Sequence, residues 1–281
     1  MLNTDVDEEG VMKRAVKRWA SRLISLVPLL MSGMADAAQT TSVHNWQDTS
    51  YIASSFIKIA LQREHEQVRS GILLKWQNPI DYYIYTPNEA IAPFAALMKT
   101  HLQQLSDITG LPLRSVPFKQ ARMQIFIVPQ AQVDQTLIRF YGRQPFNKKI
   151  TSHAVCYGQA KLHNNVLQGA TIVIPIDNAI AKGKAIDCLI EETTQVLGLP
   201  NDSDQVFPSI FNDHSIDRYL SGLDYVLLKI LFDSRLQTGM STTEVQKLLP
   251  TIIRDLKQRG EIMGAERKVR SEGLYRQLGG S

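Results

Sequence analysis

Between residues 80 and 200 the hydrophobic period switches back and forth between two and about three and a half, which restricts the chain to alternating strands and helices. Residues from Ile80 to Tyr85 are β-branched and aromatic and stop short of Pro87, the pattern of a strand. Ala92, Ala95, Ala96, Leu102 and Leu105 then recur at helical spacing up to Gly110, where a helix is expected to end. Met123 to Val128, closed by Pro129, predicts a second strand, and Val133 to Tyr141 a short helix. Thr151 to Tyr157 and Ala170 to Ile176 read as two further strands around the turn-rich pair Asn164 and Asn165. A helix is expected to open at Gly183 and Lys184 and to end at Gly198, with two more from Leu223 to Phe232 and from Thr243 to Arg259. Ahead of all these, Ile52, Phe56, Ile59 and Ala60 mark a helix within residues 49 to 70, with Arg63, Glu64 and Glu66 on its wet side. His65 and Glu66 have no second histidine one turn on, so they read as helix surface. Strands and helices alternate early and helices dominate late, an α+β pattern with a mixed sheet packed by helices and a helical C-terminal part.

The N-terminus has the order of a secretory signal peptide. Lys13, Arg14, Lys17, Arg18 and Arg22 precede an apolar run from Leu23 to Met34, and Ala35-Asp36-Ala37 offers small residues for cleavage between Ala37 and Ala38. The run is shorter than the roughly 20 residues that cross a bilayer, so no integral span is expected once it is removed. The acidic residues Asp5, Asp7, Glu8 and Glu9 are unusual ahead of such a signal, and translation from Met12 would remove them; Met1 and Met12 both stay open as starts. No cysteine adjoins the cleavage site, so a lipoprotein is not expected. The expected organisation is a signal peptide at 1–37, a flexible mature start at 38–48, one domain over 49–259 and a peripheral or disordered tail at 260–281. The expected location is the periplasm or the medium.

The formal charge of +4 over 281 residues is modest and dispersed. Signal cleavage would leave it unchanged, because equal numbers of acidic and basic residues go with residues 1–37. Nucleic-acid binding needs a concentrated basic patch, and none is present. Cys156 and Cys188 are the only cysteines, and an even pair in an exported chain favours a disulfide; two buried free thiols are the alternative.

The chemistry concentrates between Cys188 and Asp202. On a helix, Cys188, Glu191 and Gln195 share one face and Glu192 borders it, while Ile186, Leu189, Ile190, Thr193 and Leu197 supply a buried stripe. Two acids and an amide on the open side of a sheet-packed helix suit a binding or catalytic cleft, which Asn201 and Asp202 would complete.

This stretch resembles the zinc-binding segment of the zincin metallopeptidases. Those enzymes use H-E-x-x-H on a helix, and the metzincin branch extends it to H-E-x-x-H-x-x-G-x-x-H. Here residues 191 to 201 read E-E-x-x-Q-x-x-G-x-x-N, with Glu192 and Gly198 in the family positions and Glu191, Gln195 and Asn201 in place of the three histidines. Ser209-Ile210-Phe211 resembles the S-I-M of the matrixin Met-turn, and Leu220-Ser221-Gly222-Leu223-Asp224 resembles the L-S-x-x-D that opens the last matrixin helix. The whole segment also resembles a proteobacterial family of uncharacterised secreted proteins and lipoproteins grouped with the zincins.

The resemblance implies a zincin-like, metzincin-type domain. Amide and lone carboxylate oxygens are poor zinc ligands, so zinc is not expected, whereas a hard divalent cation stays open. His153, His163 and His214 lack close ligand spacing and do not restore a metal site. The leading expectation is a catalytically silent protein that binds a peptide, a cell-wall fragment or an envelope partner in a cleft lined by Glu191, Glu192, Gln195, Asn201 and Asp202. One alternative is a hydrolase with Glu192 as general base, metal-dependent or metal-free. The other is a structural component of envelope assembly. No G-x-S-x-G elbow or phosphate-binding loop is present.

Overall fold

The structure is a computed structural model in which residues 45–62, 71–143, 146, 154–215 and 218–279 are described. The expectations for residues 1–37 and for most of 38–48 lie outside these residues, as do His65, Glu66 and His153.

Five strands form one mixed sheet: β1 (Ile80–Tyr85), β2 (Leu113–Ser115), β3 (Met123–Val128), β4 (Tyr157–His163) and β5 (Val166–Pro175), in the order β2-β1-β3-β5-β4. β1 pairs in parallel with β2 and β3, and β3 with β5, while β4 runs antiparallel to β5 at the sheet edge. The parallel strands are joined by crossovers through α2 (Ala92–Thr109) and α3 (Val133–Tyr141). α2 ends where Gly110 takes a left-handed φ of 72°.

The two faces of the sheet bury different side chains. Ile80, Tyr82, Met123, Ile125, Ile127, Ala170, Ile172 and Ile174 enter the main core. α1 (Thr49–Leu61), α2 and the later helices supply the rest of it. Phe126, Val128 and Val173 face the other way and meet Val133 and Leu137 of α3 together with Phe146 and Tyr157. The alternation is the period-two geometry of a strand covered on both faces.

After β5 come α4 (Ile176–Ala181) and α5 (Ala185–Gln195), and then α6 (Gly222–Leu231), α7 (Thr242–Gln258) and α8 (Glu261–Ser271). Ser221 with Asp224 and Ser241 with Glu244 form capping boxes that start α6 and α7. No helix among the described residues is long and apolar enough to cross a membrane.

Two sequence expectations are corrected. The strand expected to end at Tyr157 instead begins there, because residues 157 to 163 pair with β5 across a hairpin turn in which Asn164 and Asn165 have positive φ values of 49° and 60°. The segment from Gly260 is not a disordered tail: α8 buries Ile262, Ala265 and Val269, and Leu274 beyond it is buried as well. These apolar residues recur at helical spacing, hidden in composition by the charged residues between them.

Candidate functional site

α5 carries the site. It packs Leu189, Ile190 and Thr193 inward, and Leu197 just beyond its end is fully buried. The turn after it depends on Gly198, whose φ is 127° and where a Cβ would lie 2.1 Å from the Leu74 carbonyl oxygen. No side chain fits there, so glycine is required both for the conformation and for the close approach. The Trp76 indole donates to the Val196 carbonyl at 2.9 Å and holds the same turn.

Beyond the turn, Asn201 is spent on the first helix. Its main-chain N–H donates to Ile59 O at 3.2 Å and its side-chain amide to Lys58 O at 3.0 Å. These carbonyls belong to the last turn of α1, where a helix leaves acceptors without intrahelical partners. Asn201 is buried, and its amide also donates to Asp202 O at 3.0 Å.

Gln195 donates its side-chain amide to Asp202 Oδ1 at 2.8 Å, with a longer contact of 3.4 Å to Glu191 Oε1. Glu191, Gln195 and Asp202 therefore form one polar cluster. Burial and the nearby carboxylates of Asp202, Glu192 and Asp213 push the Glu191 carboxyl up to about 9. Glu191 lines a small polar pocket between α5 and the loop after Phe211, together with Lys184, Asp187, Asn212, Asp213 and Arg218. Lys184 and Asp187, three residues apart at the start of α5, pair at 2.9 Å.

Glu192 departs from expectation. It does not border the open face: it is only 8% exposed and lies beneath the edge strand. A Cβ on Gly158 would come within 2.8 Å of Glu192 Oε2, so the glycine in β4 is what lets the carboxyl fit. Burial raises the Glu192 carboxyl to about 8, reinforced by Asp202 and partly offset by the Gly158 main-chain N–H. At neutral pH it is mostly a neutral acid.

The predicted disulfide is present, joining Cys156 just before β4 to Cys188 on α5 with Cα atoms 5.8 Å apart. The S-I-F turn and the opening of α6 meet at Asp224, which is fully buried. Asp224 accepts from Ser209 Oγ at 2.6 Å, from the Ile210 N–H at 3.1 Å, and from the Ser221 N–H and Oγ at 2.8 Å each. Burial outweighs these four donors and raises its carboxyl to about 6. Phe211 is a fully buried core residue, and its carbonyl accepts from the Ser203 N–H at 2.7 Å beside Asp202.

Glu191, Gln195 and Asn201, which the sequence resemblance sets against the zincin histidines, do not fit a zinc ion. Gln195 and Asn201 have their amide N–H groups committed to internal hydrogen bonds, Asn201 Oδ1 is buried without a partner among the described residues, and Glu191 is a half-buried acid held largely neutral. His214 sits 3.5 Å from Asp204 Oδ2 in an exposed loop and His163 ends the edge strand. Among the described residues no group of three or more His, Cys, Asp or Glu is arranged to hold a metal ion.

Two participants escaped the sequence reading. Gly158 is one, and an isolated glycine in a strand was the available signal. His101 is the other: fully buried on α2, it places Nε2 3.3 Å from Thr194 Oγ1 of α5, and burial pulls its pKa down to about 4. A single histidine inside a helical pattern gives no such signal.

A mixed α/β protein emerges, in which a disulfide ties an edge strand to an acid-bearing helix. The chain belongs to the family described as protein of unknown function DUF2927, whose model matches residues 49–251. No curated protein matches the chain.

Proposed function

We propose that the protein is an exported, catalytically silent member of the zincin-like class that binds an extended peptide segment of an envelope partner along the free edge of β4. The observation that carries this reading is the position of β4. It is an antiparallel edge strand whose residues Gly158 to Lys161 are exposed, and it runs directly over the acid-bearing helix. An exposed edge offers main-chain donors and acceptors to an added strand, and the groove beside it sorts alternate side chains. Against the same helix, a separate small polar pocket presents Glu191, Asp213 and Arg218.

Three features support the zincin-like reading: the sheet followed by the motif helix, the sharp turn at Gly198, and the S-I-F turn bound to the opening of the next helix through Asp224. Catalytic silence is supported by Glu192 being covered and largely uncharged, which removes the base that would activate water. The residues at the ligand positions serve the fold instead: Asn201 caps α1 and Gln195 closes α5 onto Asp202.

Selection of peptides displayed on phage against the immobilised protein, followed by amide-resolved NMR titration with the selected peptides, tests the proposal. Shifts confined to residues 157–163 and to the exposed side of α5 are expected. Selected peptides that perturb only other surfaces, or peptide hydrolysis by the protein, would contradict it.

A further inference from the structure

Two ties join the start of β4 to α5. The Cys156–Cys188 bridge is one, and two residues further along β4 the Gly158 main chain lies on the Glu192 carboxyl. Cys188 and Glu192 are four residues apart, so both ties sit on one stripe of α5, a single helical turn from each other. Beyond them, among the described residues, β4 pairs with β5 on one side only. Cys188 is 1% exposed whereas Cys156 is only partly buried, so Cys156 is the more accessible end of the bridge.

We propose that the Cys156–Cys188 bridge is a reducible clamp that keeps Glu192 covered by the start of β4, and that a dithiol reductant opens this part of the site. The inference rests on the groove beside β4 being the working surface. A thiolate of the reductant attacks Cys156 Sγ, the Sγ–Sγ bond breaks, and its electron pair leaves with Cys188, which takes up a proton. The second thiol of the reductant then displaces Cys156. Two cysteine thiols and one disulfide in the reductant result, with two electrons passed to the protein and no other reactant consumed.

The surrounding packing explains why the opening is local. α5 keeps its hold on the core through Leu189, Ile190 and Thr193, and β5 stays between β3 and β4 with its own buried residues. Neither element needs the bridge to stay in place. The start of β4 has the disulfide, the Tyr157 ring against Phe146 and the ladder to β5. Loss of the first of these frees Gly158 to move off Glu192 and admits water to a carboxyl that also faces Glu191 and Asp202.

The test compares the full oxidised chain with the same chain treated with dithiothreitol, and with the Cys156→Ala, Cys188→Ala double variant. Hydrogen exchange and the side-chain carboxyl 13C titration of Glu192 are read in each. Reduction is expected to speed exchange at residues 154–160 at least tenfold and to leave β3 and the central part of β5 unchanged. The Glu192 midpoint is expected to fall from about 8 toward the ordinary carboxylate range, because desolvation is the main cause of its elevation. The double variant is expected to behave like the reduced chain. Unchanged exchange at 154–160, an unmoved midpoint, or protection lost across β3 and β5 together would each overturn the proposal. Peptide binding is not read in this experiment, so failure of the clamp and failure of the binding proposal are separate results.

Discussion

Gln195 reaches seven residues along the chain to donate its amide to Asp202 at 2.8 Å, and this bond closes the end of the site helix onto the loop behind it. A neutral amide donates there to a carboxylate whose negative charge also raises the acids at Glu191 and Glu192. The site is thus a set of carboxyl groups held in different protonation states by burial and by one another.

That arrangement makes stability depend on pH. The Glu192 carboxyl stands at about 8 in the folded chain against an ordinary 4.5, so the folded state binds the proton more tightly than the unfolded one. The stabilisation is fully present below about 4.5 and is lost as pH rises through 8, at up to about 1.4 kcal/mol per pH unit for one group. Urea unfolding of the wild type should therefore show stability falling between pH 5 and 8. In Glu192→Gln the slope should be clearly reduced. An equal slope in both proteins would show that Glu192 does not titrate as described.

Gly198→Ala should be far more damaging than Gly158→Ala. At 198 a Cβ meets the Leu74 main chain at 2.1 Å and φ is 127°, so backbone must move and a loss of about 3 kcal/mol or more is expected. At 158 the nearest atom is the end of the Glu192 side chain, at 2.8 Å, rather than main chain, and φ is not in the left-handed region. There the cost should be about 1 kcal/mol. Chemical denaturation of both variants ranks them directly.

Asn201→Ala should lower stability by about 1–2 kcal/mol, because the Lys58 carbonyl loses its donor at a buried helix end. The effect should appear as faster hydrogen exchange in the last turn of α1, with the environment of Glu191 unchanged. A residue acting mainly in ligand contact would show the reverse.

Asp224→Ala removes the acceptor for four hydrogen bonds in the interior. A loss of about 3–5 kcal/mol is expected, because several buried neutral donors lose their acceptor at about 1–3 kcal/mol each. Asp224→Asn should recover part of it by keeping one acceptor oxygen. Thermal unfolding of the pair distinguishes this from a simple cap deletion, which costs about 1 kcal/mol.

Much of the frame was legible in the sequence because the relevant signals are local. β1, β3 and α3 begin and end where period and proline place them, and Gly110 stops α2 through its left-handed backbone. That Glu191 and Gln195 share one helix face followed from their spacing. What failed was non-local. The burial of Glu192 depends on Gly158, thirty-four positions earlier in the chain, because β5 lies between β3 and β4 and sets the edge strand over α5. The use of Asn201 depends on α1, and no spacing within residues 188 to 202 could reveal it. α8 was missed for a compositional reason: Ile262, Ala265 and Val269 are outnumbered by charged neighbours, although their spacing is helical.

We propose that the positions matching the zincin histidines have been given over to the fold and that the protein binds its partner without a metal. Elemental analysis of the protein purified without chelator or added metal tests it most directly. The account predicts zinc far below one equivalent per chain, with no change in that amount in Gln195→Ala. One equivalent of zinc per chain, lost on substituting Gln195, would contradict it.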